Sequence, residues 1–148
     1  MSVTVVIPIF NESENIELLY RELANVMREL PYEYELLFID DGSTDGSGQQ
    51  LADLAARVPT VRLIRFRRNF GQSAALQAGI EHASGEIIVT IDGDLQNDPR
   101  DSPRMLEKMD QGYDLVHGWR RDRQDAWLHR ILPSLIANAL ISHVTGQR

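Results

Sequence analysis

The feature that most restricts this chain is an alternation. Short apolar runs take turns with stretches of helical period, and a polar cluster follows each run. Val3 to Ile9 is a β-branched run of the kind found in strands buried on both faces. Asn11 and Ser13 read as capping residues before a helix over Ile16 to Leu30. In that stretch Ile16, Leu19, Tyr20, Leu23, Val26, Met27 and Leu30 share one face, and Pro31 ends it. Tyr34 to Ile39 is a second strand, and Thr44 or Asp45 opens a helix that stops near Pro59. Val61 to Phe66, Glu86 to Ile91 and Tyr113 to His117 read as further strands, with helices over Gly71 to Ala83 and Pro103 to Met109. Such βα units predict an α/β fold: a three-layer, mostly parallel, Rossmann-like sheet with right-handed crossovers. The 148 residues suit a single domain, and no linker, repeat or low-complexity segment interrupts them.

In an open parallel sheet, ligands bind outside the carboxyl ends of the strands. The polar clusters fall at those ends: Pro8 to Glu12, Asp40 to Gly46, Arg67 to Gln72, Asp92 to Gln96 and Gly118 to Arg121. Each has two readings when taken alone. Asp40-Asp41-Gly42-Ser43 suits a turn followed by a helix cap, or a pair of ligand-binding acids. Asp92-Gly93-Asp94 suits a tight turn, or two carboxylates beside a close backbone approach. Their convergence on one sheet edge favours a site.

Several classes are excluded. The formal net charge of −7 argues against a general nucleic-acid binder. Without cysteine there is no disulfide framework, thiolate metal site or cysteine nucleophile. MSVTVVIPIF has no basic region ahead of its apolar run and reads as a strand rather than a signal peptide. No apolar run reaches the roughly 18 residues of a membrane span, so a soluble chain is expected. The GxxxxGK and GxGxxG patterns are absent. A phosphotransfer receiver needs an acid pair after its first strand and a lysine after its fifth, and a haloacid-dehalogenase-like phosphatase needs Asp-x-Asp after its first; neither placement occurs. His82, His117, His129 and His143 lack metal-ligand spacing and read as surface or structural.

The chemistry follows from residue types. Asp92, Asp94 and the Gln96 amide oxygen are hard donors suited to Mg²⁺ or Mn²⁺, and such a cation usually bridges carboxylate to diphosphate. Asp40 and Asp41 are acceptors suited to base N–H groups and ribose hydroxyls. All but one of the 15 cations are arginine, with local clusters at Arg62, Arg65, Arg67 and Arg68 and at Arg120, Arg121, Arg123 and Arg130. Arginine grips phosphate bidentately. Metal, diphosphate, nucleoside and a sugar-sized crevice describe a nucleotide-sugar site.

The segments VVIPIFNESENI, LLFIDDGSTDGS, RRNFGQSAALQAGI, IIVTIDGDLQNDP and YDLVHGWRRDRQDAW resemble family 2 glycosyltransferases of the GT-A fold, essentially end to end. Within that family the chain is similar to the polyprenyl-phosphate transferases that act on dolichol phosphate or undecaprenyl phosphate. The pieces favouring that subgroup are Asn69-Phe70-Gly71-Gln72, Asp94 to Pro99, and Arg120 with Arg123-Gln124-Asp125. The resemblance implies that Pro8, Phe10 and Glu12 line a nucleoside pocket, with Asp40 on the base and Asp41 beside it. It places Asp92 and Gly93 at the diphosphate, with Asp92, Asp94 and Gln96 around the cation. It assigns Asp94, Arg120 and Arg130 to catalysis, the two arginines on the diphosphate or the lipid phosphate.

The implied reaction is inverting, metal-assisted transfer from a nucleotide-diphosphate sugar, UDP ahead of GDP, to a polyprenyl phosphate. Family members continue with acceptor-side and membrane segments, so the resemblance implies a catalytic domain cut before them. It also implies work at the cytoplasmic face of the cell membrane by the complete protein. A non-catalytic nucleotide-sugar-binding module and a family 2 transferase acting on a glycan hydroxyl are the alternatives. Ile131 to Val144 is apolar on one side and reads either as a membrane-surface helix or as a helix packed on protein.

Overall fold

The computed structural model of the chain describes residues 1–95 and 98–118. Met1–Val116 forms one compact unit. It is built from strands β1 (Ser2–Ile9), β2 (Glu33–Asp40), β3 (Val61–Arg65) and β4 (Ile87–Thr90). Helices α1 (Ile16–Arg28), α2 (Ser47–Arg57), α3 (Gln72–His82) and α4 (Ser102–Asp110) connect or follow them. A 3-10 turn over Pro99–Asp101 leads into α4, and the Asp98 carboxylate caps it by accepting from Arg100 N–H.

The strands form one sheet of order β3-β2-β1-β4, and every pairing is parallel. The chain therefore starts in the middle of the sheet, winds outward to β3 and crosses back to β4. That reversal creates a crevice at the carboxyl ends of β1 and β4.

The three-layer expectation holds, and alternation along the strands explains it. Val3, Val5, Ile7 and Ile9 of β1, with Leu36 and Phe38 of β2, pack against Ile16, Leu19, Leu23 and Met27 of α1 and Leu51 and Leu54 of α2. Val6, Leu37 and Ile39 point to the other face, where Ala75 of α3 meets them. Successive strand residues project to opposite faces, so the central stretches 5–7 of β1 and 36–39 of β2, covered on both sides, are apolar without interruption.

Two expectations are corrected. Tyr113 to His117 is irregular backbone, not a fifth strand. No described strand pairs with it, and Leu115 is 85% exposed; a strand depends on a partner and a buried face more than on its own propensity. Asn11 and Ser13 do not cap α1. The N-cap is Asn15, whose backbone N–H and side-chain amide both reach back to Glu12.

Candidate functional site

The ends of β1 and β2 are flush: Ile9 pairs with Asp40, and Asp41 N–H donates to Ile9 C=O at 2.8 Å. Beyond them two loops are stitched together. Asn11 N–H donates to Ser43 Oγ at 3.0 Å, and Asn11 Oδ1 accepts from Thr44 N–H at 2.8 Å. Glu12 N–H donates to Ser47 Oγ and Ser13 N–H to Asp45 Oδ2, each at 3.0 Å. Asp45 Oδ1 accepts from the Ser47 hydroxyl at 2.6 Å. The Ser47 hydroxyl, assisted by backbone N–H groups of Ser13 and Ser47, holds the Asp45 carboxyl well below the usual range. Asn11 adopts φ 55°, a left-handed conformation that asparagine tolerates better than most residues. Thus Asn11 and Asp45 bind the two loops together, and Asp45 Oδ1 also accepts from the N–H of Ser47, the first residue of α2, at 3.0 Å.

Pro8 is half-buried, while Phe10 is 45% exposed at the mouth of the edge. The Glu12 carboxylate turns toward α1 and accepts from Asn15. Asp40 is 0% exposed. Its Oδ1 accepts from Ser43 N–H at 2.9 Å, and its Oδ2 lies 3.1 Å from Arg65 Nε. That ion pair is not aligned as a hydrogen bond, so Oδ2 is charge-paired but unbonded. Gly48 makes room for the pair, because a Cβ there would sit 2.3 Å from Asp40 Oδ2.

Asp41 is 3% exposed, and its two oxygens accept from Phe70 N–H at 2.7 Å and Gly71 N–H at 2.9 Å. It thereby holds the β3–α3 loop against Gly42, which has φ +71° and no room for a Cβ beside the Arg68 backbone. The two acids thus share a strand end but serve different neighbours.

The first arginine cluster divides. Arg62 pairs with Glu35 and Arg65 with Asp40. Arg67 and Arg68 stay exposed in the β3–α3 loop, where Arg68 stacks over Phe70 with Cζ 4.8 Å from the ring centroid.

At the β4 end, Gly93 packs against Ile9 and the Pro8 carbonyl, closer than any side chain would allow. Asp92 is half-buried and Asp94 exposed. Leu95 holds φ 59°, costly for a branched apolar residue, while its side chain packs against the core. Gln72, the first residue of α3, donates from Nε2 to Asp92 Oδ1 at 2.8 Å. In the sequence Gln72 closes the polar cluster after the third strand and falls in a family-like segment, but its bond to Asp92 needs the crossover that carries the chain from β3 through α3 to β4. Pro8, Asp41, Gly71, Gln72, Asp92 and Gly93 therefore meet along one edge. Gln96, Arg120 and Arg130 lie outside the described residues, as do His129, His143 and Ile131 to Val144. His82 bonds the Ala78 carbonyl through Nδ1, a helix-end contact.

Asp92 and Asp94 are the donor chemistry that a hard divalent cation takes. Among the described residues no group of three or more His, Cys, Asp or Glu side chains encloses a cation site. Asp92 and Asp94 would hold such a cation with part of its coordination left to phosphate oxygens and water, the usual mode for magnesium-like ions.

The profile of Glycosyl transferase family 2 matches residues 4–148. The chain belongs to that family. A curated relative, dodecaprenyl-phosphate galacturonate synthase of Rhizobium johnstonii, is 42% identical over 148 residues, 99% of this chain and 44% of the relative. The chain thus spans under half the length of that family member. Glucosyl-3-phosphoglycerate synthase from Mycobacterium tuberculosis, solved with UDP, aligns at TM-score 0.66 and 22% identity, over 98% of this chain and 50% of its own. The fold is that of the GT-A glycosyltransferases. A mannosyltransferase from Pyrobaculum calidifontis, solved with GDP-Man and Mn²⁺, aligns at TM-score 0.55 and 32% identity over 68% of this chain and 30% of its own.

Proposed function

We propose that this family 2 chain binds a nucleotide-diphosphate sugar at the β1–β2–β4 edge, for inverting transfer to a polyprenyl phosphate. The observation that carries the reading is the meeting of Asp41, Gln72, Asp92 and Gly93 at the carboxyl edge of a parallel sheet. The polyprenyl-phosphate relative supports the acceptor class. Related structures solved with UDP or with GDP-Man support the donor class.

In this reading Pro8, Phe10 and Glu12 flank the nucleoside. Asp40 and Asp41 act beside it largely through the loops they hold, since both are buried. Asp92 and Gly93 border the diphosphate, and Asp92, Asp94 and Gln96 hold Mg²⁺ or Mn²⁺. Arg120 and Arg130 serve the diphosphate or the acceptor phosphate. A phosphate oxygen of the lipid attacks the anomeric carbon, and the bond to the nucleotide diphosphate breaks with its electron pair on the leaving oxygen. The lipid phosphate is already anionic, so no base must remove a proton from it. A bound divalent cation supplies charge neutralisation on the leaving group. The polyprenyl tail places the complete protein at the membrane, on its cytoplasmic face where nucleotide sugars are available. No helix among the described residues is long and apolar enough to cross a membrane.

The test is calorimetry of the chain with UDP and GDP, with and without Mn²⁺, on wild type and Asp94→Asn. Asp94→Asn should lose the Mn²⁺-dependent part of nucleotide affinity by at least about tenfold, the lower end of what even indirect metal-site changes cost. Equal metal-dependent binding by the variant would remove Asp94 from the site.

A further inference from the structure

Asp92 is tied to the nucleoside side of the edge through the start of α3. Asp41 accepts from both Phe70 N–H and Gly71 N–H, which fixes the backbone immediately ahead of the helix. Gly71 C=O then accepts from Ala74 and Ala75 N–H, so the first helical turn is set from the same point. Gln72 follows, and its side-chain amide donates to Asp92 Oδ1 at 2.8 Å. The rest of α3 lies against the sheet through Ala75 and Gly79, leaving no room for a Cβ at Gly79 beside Val6. The terminus carrying Gln72 is therefore held from below by packing and from the side by Asp41.

We propose that Gln72 is a positioning residue for Asp92: its amide holds the Asp92 carboxylate in the orientation that the cation–diphosphate unit requires. The inference rests on the reading of this edge as a nucleotide-diphosphate site. Gln72 acts through another group, so its effect appears only where Asp92 acts. It is also exposed, and replacing it removes a donor without opening a cavity. Outer-shell hydrogen-bond partners of this kind set ligand orientation, and their loss typically lowers metal affinity about 10- to 100-fold.

The experiment uses Gln72→Met, which keeps length and removes the donor. The control is Gln77→Met on the same helix, where the amide donates to Glu81 Oε1 one turn further on at 2.9 Å. Titrations use UDP and GDP with and without MnCl₂, beside a thermal melt of each protein. Gln72→Met should cut the Mn²⁺-dependent gain in nucleotide affinity about tenfold. Its metal-free affinity and melting temperature should match those of Gln77→Met. Combined with Asp92→Asn, it should add no further loss, because the two changes remove one function. A wild-type metal increment in Gln72→Met, an equal loss in Gln77→Met, or full additivity with Asp92→Asn overturns the inference while leaving the nucleotide reading intact. A wild-type chain that binds neither nucleotide with Mn²⁺ overturns that reading, and the inference falls with it.

Discussion

Away from the site, at the amino ends of the strands, the Glu35 carboxylate accepts four hydrogen bonds. Its Oε1 accepts from the Thr4 hydroxyl at 2.6 Å, Ser84 N–H at 2.8 Å and the Ser84 hydroxyl at 2.7 Å. Its Oε2 accepts from Arg62 at 2.8 Å. Burial alone would raise its pKa, but Arg62, Thr4 and Ser84 outweigh that and bring it to about 2. A carboxyl lowered on folding stabilises above its unfolded pKa, and that stability drains away as pH falls toward the folded value. Urea midpoints should therefore be flat near neutrality and fall between about pH 5 and pH 2. Glu35→Ala should flatten part of that fall and cost about 1.5–3 kcal/mol near pH 7, the range for hydrogen bonds to a charged group. An unchanged acid limb in Glu35→Ala would assign the pH dependence elsewhere. The Glu35, Thr4 and Arg62 contacts were not legible in the sequence, where Arg62 read as one of a group of phosphate-seeking arginines. Strand register decides the matter, because Leu37 pairs with Arg62 and so places it two positions along the β2–β3 ladder from Glu35.

At the scale of elements, α3 shows how packing reverses a local preference. Glycine inside a helix normally costs about 1 kcal/mol relative to alanine. At Gly79 a Cβ would lie 2.3 Å from Val6 Cγ1 and 2.9 Å from Ile39 Cδ1. Gly79→Ala should therefore destabilise, by about 1–2 kcal/mol after the helix gain is offset by overpacking. Because α3 carries Gln72, the same change should also weaken nucleotide binding; chemical denaturation and calorimetry read the two effects, and a more stable variant would refute the packing argument. The helices themselves were legible from apolar periodicity. The observed α1 starts where expected, at Ile16, because its apolar face begins there. The start of α2 was not: Thr44 and Asp45 face the first loop, and the helix begins only at Ser47 after Gly46 turns the chain at φ 99°.

For the whole molecule, the proposed donor and acceptor sites should be separable by experiment. The described residues carry the edge that we assign to nucleotide sugar, whereas the polyprenyl-phosphate acceptor is inferred from the relative and from the arginines at 120–130. Sugar transfer to a short-chain polyprenyl phosphate should be much slower with this 148-residue chain than with a version extended to the relative's length, while nucleotide affinities agree within about threefold. Equal transfer rates would show that these residues suffice for both substrates.

Periodicity and strand-end polarity were enough to specify a parallel α/β sheet and the edge where its acids gather. Both are local properties: burial on two faces demands apolar strands, and every strand of a parallel sheet delivers its following loop to the same side. Tertiary structure alone decided which acid does what. Asp40 turned inward to Arg65, Asp41 took the α3 loop, and Asp92 took Gln72. Those choices depend on strand order and on the crossover that sets α3 between β3 and β4, contacts between residues distant in sequence that no local pattern encodes. For the same reason Tyr113 to His117 met every local requirement of a strand and, with no described partner, did not become one.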